Sequence, residues 1–535
     1  MEKALSMFEE NHAILMERFP KLALEIPLAR PTSQARESLG PLHLVNVKAL
    51  YIYGIGQGEG YFETCQWLKS DSSRRLIVLE NDLSQISAFL HSPEAKTVLK
   101  DPQVILATLD QIDELVERFP FSHVEAAALP SKRRFKKWKE RLLQRNAFSY
   151  ALHNERIHGY QPFQNFVSNV RRMSDSFYAN GLFGKFQDVP AVVCGAGPSL
   201  QEAIPLLRTL ENKALLIAGG STLAALSSEG VTPHFGMALD PNLEEYRRLK
   251  NSFAFEVPFL YSTRVFPSIF HTANGPFGYM RSGIGGAVEI WMEEELGLFD
   301  PLIGEKLSSD AISVTSICLA WAQFLGCNPI FLSGLDLAYT KNRRYASGVA
   351  EEELDIHEIY GSVDRLIKRK DRQGRPICTA IRWLMESAAF SHFAKMHPKT
   401  KFINTTEGGI GFTNIPYIPL DEALDGYVDC NFSLRGKVHQ AIIASPMPGN
   451  TGKIIKKKMG ELTKSLEKVV GHLEICAGVK VGSNALAEME LRDEMAFHLL
   501  FYDAESVMAK DLQDPNQKWI RFLRLAQQYQ YVLQT

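Results

Sequence analysis

Three short turns in the middle of the chain carry the residue types that hold phosphate or sugar. They are Gly195-Ala196-Gly197-Pro198-Ser199-Leu200, Gly219-Gly220-Ser221-Thr222 and Asp240-Pro241-Asn242. Each follows a run of mostly apolar residues, Ala191–Cys194, Ala214–Ala218 and His234–Leu239, that reads as a buried parallel strand. Gly195 and Gly197 permit a tight strand-to-helix turn and close approach of a ligand to the backbone. Pro198 and Ser199 suit a helix start, where bare N–H groups favour an anion, most simply a phosphate. The pattern is neither G-x-G-x-x-G, because Leu200 stands at the third glycine's place, nor a Walker loop. A glycine turn that only packs strand on helix is the plain alternative; three such turns in succession favour a ligand.

A fourth apolar run, Pro329–Leu332, ends in Ser333, Gly334 and Asp336 and continues to Tyr339 and Tyr345. Carboxyl ends of parallel strands lie side by side, so these residues belong to the same edge as the three turns. Ser313-Val314-Thr315-Ser316 opens a further helix, with hydroxyls free to cap it. His357 is the nearest candidate base of neutral pKa, set in an acidic, polar segment where a surface histidine is the alternative. Asp240 with Asn242 offers thin coordination for a metal, so hydrogen bonding to a sugar or ribose is the favoured reading and no metal ligand is assigned. No cofactor is required, although magnesium could assist through a phosphate.

The motifs Cys194–Leu200, Ala218–Thr222, Ala238–Asn242 and Gly334–Thr340 resemble the central domain of the motility accessory factor (Maf) family of bacterial glycosyltransferases. The loop Asn404-Thr405-Thr406-Glu407-Gly408-Gly409-Ile410-Gly411 is similar to that domain's end. Related turns occur in bacterial sialyltransferases and in 6-hydroxymethylpterin diphosphokinases. The resemblance implies transfer of a nonulosonic acid, a relative of sialic acid, from a CMP-activated donor to Ser or Thr of an acceptor protein such as flagellin. It also implies that Gly195, Gly197–Leu200, Gly219–Thr222, Asp240, Asn242, Thr315, Ser316, Ser333, Gly334 and Asp336 hold the donor. Tyr339 and Tyr345 would donate to the departing phosphate, and His357 would take the acceptor's proton. A pterin diphosphokinase-like transfer from ATP and a non-catalytic nucleotide-sugar binder are the alternatives.

Elements elsewhere must position this edge. Near the N-terminus, strands at Ala49–Tyr53, Arg75–Leu79 and Val104–Ala107 begin a second alternating pattern. The first is followed by Gly54, Gly56, Gly58 and Gly60, and the second by Glu80, as in dinucleotide or S-adenosylmethionine sites. The glycine frame is not clean, and a purely structural Rossmann-like domain is the other reading. The basic run Lys132–Lys139 reads as a solvated helix face. The stripe Phe163, Phe166, Val170, Met173 and Phe177 continues a helical connector, and Asn274–Gly286 reads as a mobile loop of the lid type. Residues 435–535 read as a helical bundle. Pro448–Lys453 lacks the Walker spacing and is set aside.

With 535 residues the chain exceeds one ordinary domain. The expectation is a Rossmann-like domain over 1–165, a doubly wound α/β, sialyltransferase-like domain over 166–425 and a helical domain over 426–535. A net charge of −2 argues against a nucleic-acid partner. Seven scattered cysteines suit reduced thiols, and neither a signal-peptide core nor a membrane-spanning apolar run is visible. A cytoplasmic protein with no membrane partner is expected.

Overall fold

The computed structural model describes residues 2–27, 36–119, 121–131, 135–157, 160–250, 252, 256–307, 313–340, 343–349, 366–428, 431–501, 504 and 515–534. The core of the basic run, 132–134, and His357 lie outside these residues. The chain divides into two compact units, one within Met1–Asn154 and the other within Glu155–Ile356 and Leu366–Thr535. The fold is α/β, with a multi-stranded parallel sheet in each unit.

The first unit contains β1 (Ala49–Tyr53), β2 (Arg75–Leu79), β3 (Val104–Ala107) and β4 (Val124–Ala128), ordered β3-β2-β1-β4 and all parallel. Its glycine turn is filled by its own chain. Glu80 is buried and accepts the amides of Ile55 at 3.3 Å and Asp82 at 3.0 Å. Glu59 folds back to accept the Gln57 amide at 2.7 Å. Behind the turn lies an apolar space of about 10 Å³, room for a single water at most. Of the two readings of this turn, the geometry supports the structural one.

The second unit is built on eight strands: β5 (Phe177–Tyr178), β6 (Ala191–Cys194), β7 (Leu215–Gly219), β8 (Phe235–Ala238), β9 (Phe259–Tyr261), β10 (Phe277–Tyr279), β11 (Ile330–Ser333) and β14 (Phe402–Asn404). Their order is β14-β11-β6-β7-β8-β9-β10-β5. Between β11 and β14 an antiparallel hairpin, β12 (Leu366–Lys370) and β13 (Pro376–Ala380), stands apart from the sheet. Alternate residues of each strand feed two cores, as a sheet covered on both faces requires. Val192, Cys194, Leu216 and Phe331 enter one; Ala191, Val193, Ile217 and Leu332 enter the other. The first core is closed by the helices Thr451–Cys476 and Pro515–Gln534, through Leu462, Leu466, Val469 and Leu473 and through Phe522 and Tyr529. The second is closed by the Val314–Phe324 helix, whose Trp321 is fully buried. Among the described residues no helix is long and apolar enough to cross a membrane.

Two expectations are corrected here. Phe177 does not extend the helical stripe: it lies in β5, at the sheet edge beside β10. Asn274–Gly286 is not a lid throughout, because Phe277–Tyr279 is a strand hydrogen-bonded between β9 and β5. A side chain at Gly278 would meet the Phe177 ring at 2.3 Å, so this glycine serves close packing and not mobility. At the far end of the stretch Gly286 precedes the Ala287–Glu295 helix, where Glu289 accepts its amide at 3.0 Å.

Candidate functional site

From β6 the chain winds outward through β7, β8, β9 and β10, then crosses back to lay β11 on the other side of β6. At such a reversal the two loops leaving adjacent strands diverge, which opens a crevice at their carboxyl ends. A cavity of about 360 Å³ lies there, lined by the turns after β6, β7, β8 and β11. The sequence leaves glycine where the walls meet. A Cβ on Gly195 would lie 2.6 Å from the Gly334 carbonyl oxygen, and one on Gly197 would lie 2.2 Å from Asp336 Oδ2. The close approach these glycines permit is therefore between two loops of the protein itself.

Asp336 is the anchor of that wall. It is buried, and its carboxylate accepts the Ser199 hydroxyl at 2.7 Å and the Ser199 amide at 3.1 Å. The Ser199 hydroxyl in turn accepts the Gly408 amide at 3.2 Å. Thr406 Oγ1 accepts the Leu335 amide at 3.0 Å, and the Ile410 amide donates to the Asp336 carbonyl oxygen at 3.0 Å. Three segments far apart in sequence are thus locked around one carboxylate. Burial pushes the Asp336 carboxyl up, against the opposing pull of its bonds from Ser199 and Thr340.

In this arrangement the amides at the Leu200–Leu207 helix start, read from sequence as a phosphate cradle, are engaged within the protein. Gly197 gives its amide to the Gly334 carbonyl at 2.8 Å, Ser199 gives its own to Asp336, and Leu200 bonds back to Gly197 at 3.0 Å. An internal carboxylate already occupies the favourable end of this helix. Ser199 does not cap the helix, because its hydroxyl is committed to Asp336 and Gly408.

The polar character of the cavity comes from elsewhere. Gly220, Ser221 and Thr222 present the N-terminus of the Ser221–Ser228 helix, with Gly220 at φ 54°. Ser313, Val314 and Thr315 present that of the Val314–Phe324 helix. Three arginines, Arg248, Arg344 and Arg382, line the same space with the acids Asp240, Glu245, Asp336 and Glu386. Glu245 is buried and accepts the Asp240 amide at 2.8 Å. Burial raises both carboxyls of this pair; their mutual repulsion adds to it for Glu245, and Arg248 and Arg264 oppose it for Asp240. Burial likewise raises Glu386, which accepts the Ser313 hydroxyl. Ser313 also caps its helix by accepting the Ser316 amide at 3.1 Å. Among the described residues no group of three or more His, Cys, Asp or Glu side chains could hold a metal ion.

Of the residues proposed from sequence, Gly195, Gly197, Gly219–Thr222, Asp240, Thr315, Gly334, Asp336 and Tyr345 line the cavity. Pro198, Ser199, Leu200, Asn242, Ser316, Ser333 and Tyr339 do not. Leu200, Ser316 and Ser333 are buried in the packing beneath, and Asn242 precedes the Leu243–Leu249 helix without capping it. Tyr339 is buried behind the wall, its ring 5.0 Å from that of Trp383, so the two tyrosines are not a pair facing one ligand. Sequence reasoning missed Glu245 and Arg248, three residues apart in the helix after Asp240. It also missed Arg382, Trp383 and Glu386 in the first turns of the Ile381–Met396 helix. The signal was limited: Arg382 and Trp383 open a helix that directly follows β13, whereas Arg248 lies in the last turn of the Leu243–Leu249 helix.

Fold and cavity together define a doubly wound α/β protein with a polar cleft at its crossover. Residues 164–342 match the family model of 6-hydroxymethylpterin diphosphokinase MptE-like proteins. No curated protein matches the chain in sequence. Among solved structures, the chain is similar to the MAf glycosyltransferase from Magnetospirillum magneticum AMB-1, with 14% identity, a TM-score of 0.49, and 99% of this chain and 95% of that chain covered.

Proposed function

We propose that the cavity takes the anionic part of a nucleotide-activated donor, and that the chain is a glycosyltransferase moving a nonulosonic acid from CMP to Ser or Thr of an acceptor protein such as flagellin. The observation that carries the binding half is the cavity's lining: three arginines together with two helix N-termini at the crossover of a parallel sheet. The sugar and acceptor rest on the motifs Gly195–Leu200, Gly334–Thr340 and Asn404–Gly411, which the structure brings together around Asp336.

Loss of a nonulosonic acid from its phosphate builds positive charge on the sugar and negative charge on the leaving oxygen. Arg248, Arg344 and Arg382 would stabilise the departing phosphate, and the Tyr345 hydroxyl would donate to it. The acceptor hydroxyl must lose a proton as it attacks. Within the described part of the cavity, the Asp240–Glu245 pair, raised by burial, is suited to take it. His357 stays a candidate for the same step.

A second reading, diphosphate transfer from ATP, is favoured by the match of residues 164–342. Magnesium is the expected companion of that chemistry, and two carboxylates with phosphate oxygens and water form a suitable donor set. Asp240 and Glu245 would hold it, and bound there it would neutralise phosphate charge. The test is the melting temperature with CMP, CTP, ATP with magnesium, UDP, NAD and S-adenosylmethionine. A ligand at a hundredfold its Kd stabilises by about 2.7 kcal/mol. A response to CMP and CTP that Arg344→Ala abolishes supports the cytidine donor. A response to ATP with magnesium and none to CMP selects the second reading, and no response to any nucleotide refutes both.

A further inference from the structure

We propose that Trp383 is the surface on which the donor's nucleobase stacks, and that buried Tyr339 is the positioning residue that holds the indole in place. The inference rests on the reading that the cavity takes a nucleotide, and it goes further by assigning the base its place. Trp383 and Tyr345 are the aromatic side chains among the described residues that line the cavity. Of the two, Trp383 has the larger ring; the Arg344 guanidinium lies 4.9 Å from the Tyr345 ring centre, as Arg382 lies beside Trp383. Trp383 is half-buried, so part of its indole is open to the cavity.

The support behind the indole is built. Tyr339 is only 5% exposed and packs on Trp383 at 58° between ring planes. Tyr339 is itself pinned to the hairpin: its amide donates to the Cys378 carbonyl at 2.8 Å, and Thr379 Oγ1 donates to the Leu337 carbonyl at 2.6 Å. β13 then runs directly into the Ile381–Met396 helix, which carries Trp383 in its first turn. An aromatic side chain held this firmly presents its surface at little entropic cost. Every nucleobase has a π-face, so stacking accepts nucleotides as a class. It gives no advantage to a sugar phosphate or a lipid-linked phosphate. Arg382, 5.4 Å from the Trp383 ring and lining the same cavity, supplies charge for the phosphate from the adjacent position.

The experiment measures binding of CMP, AMP and ribose 5-phosphate by calorimetry to the full chain and to Trp383→Ala, Trp383→Phe and Tyr339→Leu. Tryptophan fluorescence is followed in parallel. In the parent protein each nucleotide should bind about thirtyfold more tightly than ribose 5-phosphate, a middle value for base–aromatic stacking. Trp383→Ala should remove that advantage and leave ribose 5-phosphate binding unchanged; Trp383→Phe should restore most of it. Tyr339→Leu should reduce the advantage without touching ribose 5-phosphate. Nucleotide should quench the emission of the parent protein but not of Trp383→Phe, which keeps the other five tryptophans. Equal loss of all three ligands in Trp383→Ala, or binding without a change in emission, overturns the assignment while the nucleotide reading stands. Failure of the parent protein to bind any nucleotide overturns both. Should Trp383→Ala not fold, the emission of the parent protein and of Trp383→Phe decides.

Discussion

Replacing Ser199 by alanine separates an anchor from a ligand contact. The hydroxyl donates to the buried Asp336 carboxylate at 2.7 Å and accepts the Gly408 amide at 3.2 Å. Ser199→Ala deletes a hydrogen bond to a charged group, worth about 1.5–3 kcal/mol, and strands a buried N–H at a further cost of about 1–3 kcal/mol. The two terms share one oxygen and do not add in full, so the expected loss is about 3 kcal/mol. The methyl group fills nearly the same space, which keeps a cavity term small. Scanning calorimetry should show the transition of the second unit falling by about 5 °C. Because Ser199 does not line the cavity, CMP affinity of the folded variant should stay within about threefold of the parent. A variant with an unchanged melting temperature and a tenfold or greater loss of CMP affinity would refute this reasoning and return Ser199 to the phosphate.

Other outcomes follow from the same geometry. Tyr345→Phe should lower kcat of sugar transfer by about a hundredfold with little change in KM, as expected for a donor acting on the leaving oxygen; an unchanged kcat in a transfer assay removes that role. Arg344→Ala and Arg382→Ala should each weaken CMP about tenfold or more, and titrations at rising salt should show a flatter dependence than the parent. Gly197→Ala sets a methyl carbon 2.2 Å from Asp336 Oδ2 and 2.7 Å from the Gly334 oxygen, and should cost at least about 3 kcal/mol by urea unfolding. His234 is buried neutral, its Nδ1 accepting the Leu216 amide and its Nε2 bonded to the Glu211 carbonyl, and burial lowers its pKa to about 4. Its contribution is fully present above pH 6.5 and is lost as pH falls towards 4, by about 3 kcal/mol in all. Unfolding of His234→Gln across that window should show a shallower slope.

The fold was legible where burial on both faces writes continuous apolar runs. β1, β2, β3, β6, β8, β9 and β11 are such runs, each ending in a turn of glycine, hydroxyl or carboxylate. β5 and β10 were not legible, because Phe177 fell in phase with a helical stripe, and Gly275 and Gly278 looked like freedom when they serve contact. The cavity's backbone was legible for the same reason as the strands: their carboxyl ends share one edge. Its charge was not. Arg248, Arg382 and Glu386 sit on helices where sequence alone gives them a solvated face, and only the crossover turns those faces inward. Ser199 and Asp336 were both read from sequence as donor contacts, and the structure joins them to each other. A serine after Gly-Pro looks the same whether its amide meets a substrate phosphate or a carboxylate 137 residues away.

The knot of contacts around Asp336 also dictates when the protein can become competent during synthesis. Its bonds span 137 residues to Ser199 and link Ser199 to Gly408 across 209. β14, whose Phe402–Asn404 completes the sheet beside β11, emerges only a few residues before that loop. A nascent chain that has released the first four turns of the crevice therefore holds them against an edge with no neighbour and a carboxylate with too few donors. Closing a loop of this length adds little entropy per residue, but it makes the final docking a late event. The ligand pocket is consequently one of the last parts of this unit to gain its shape, and chains halted before residue 408 should bind nothing there even when most of the sheet has formed.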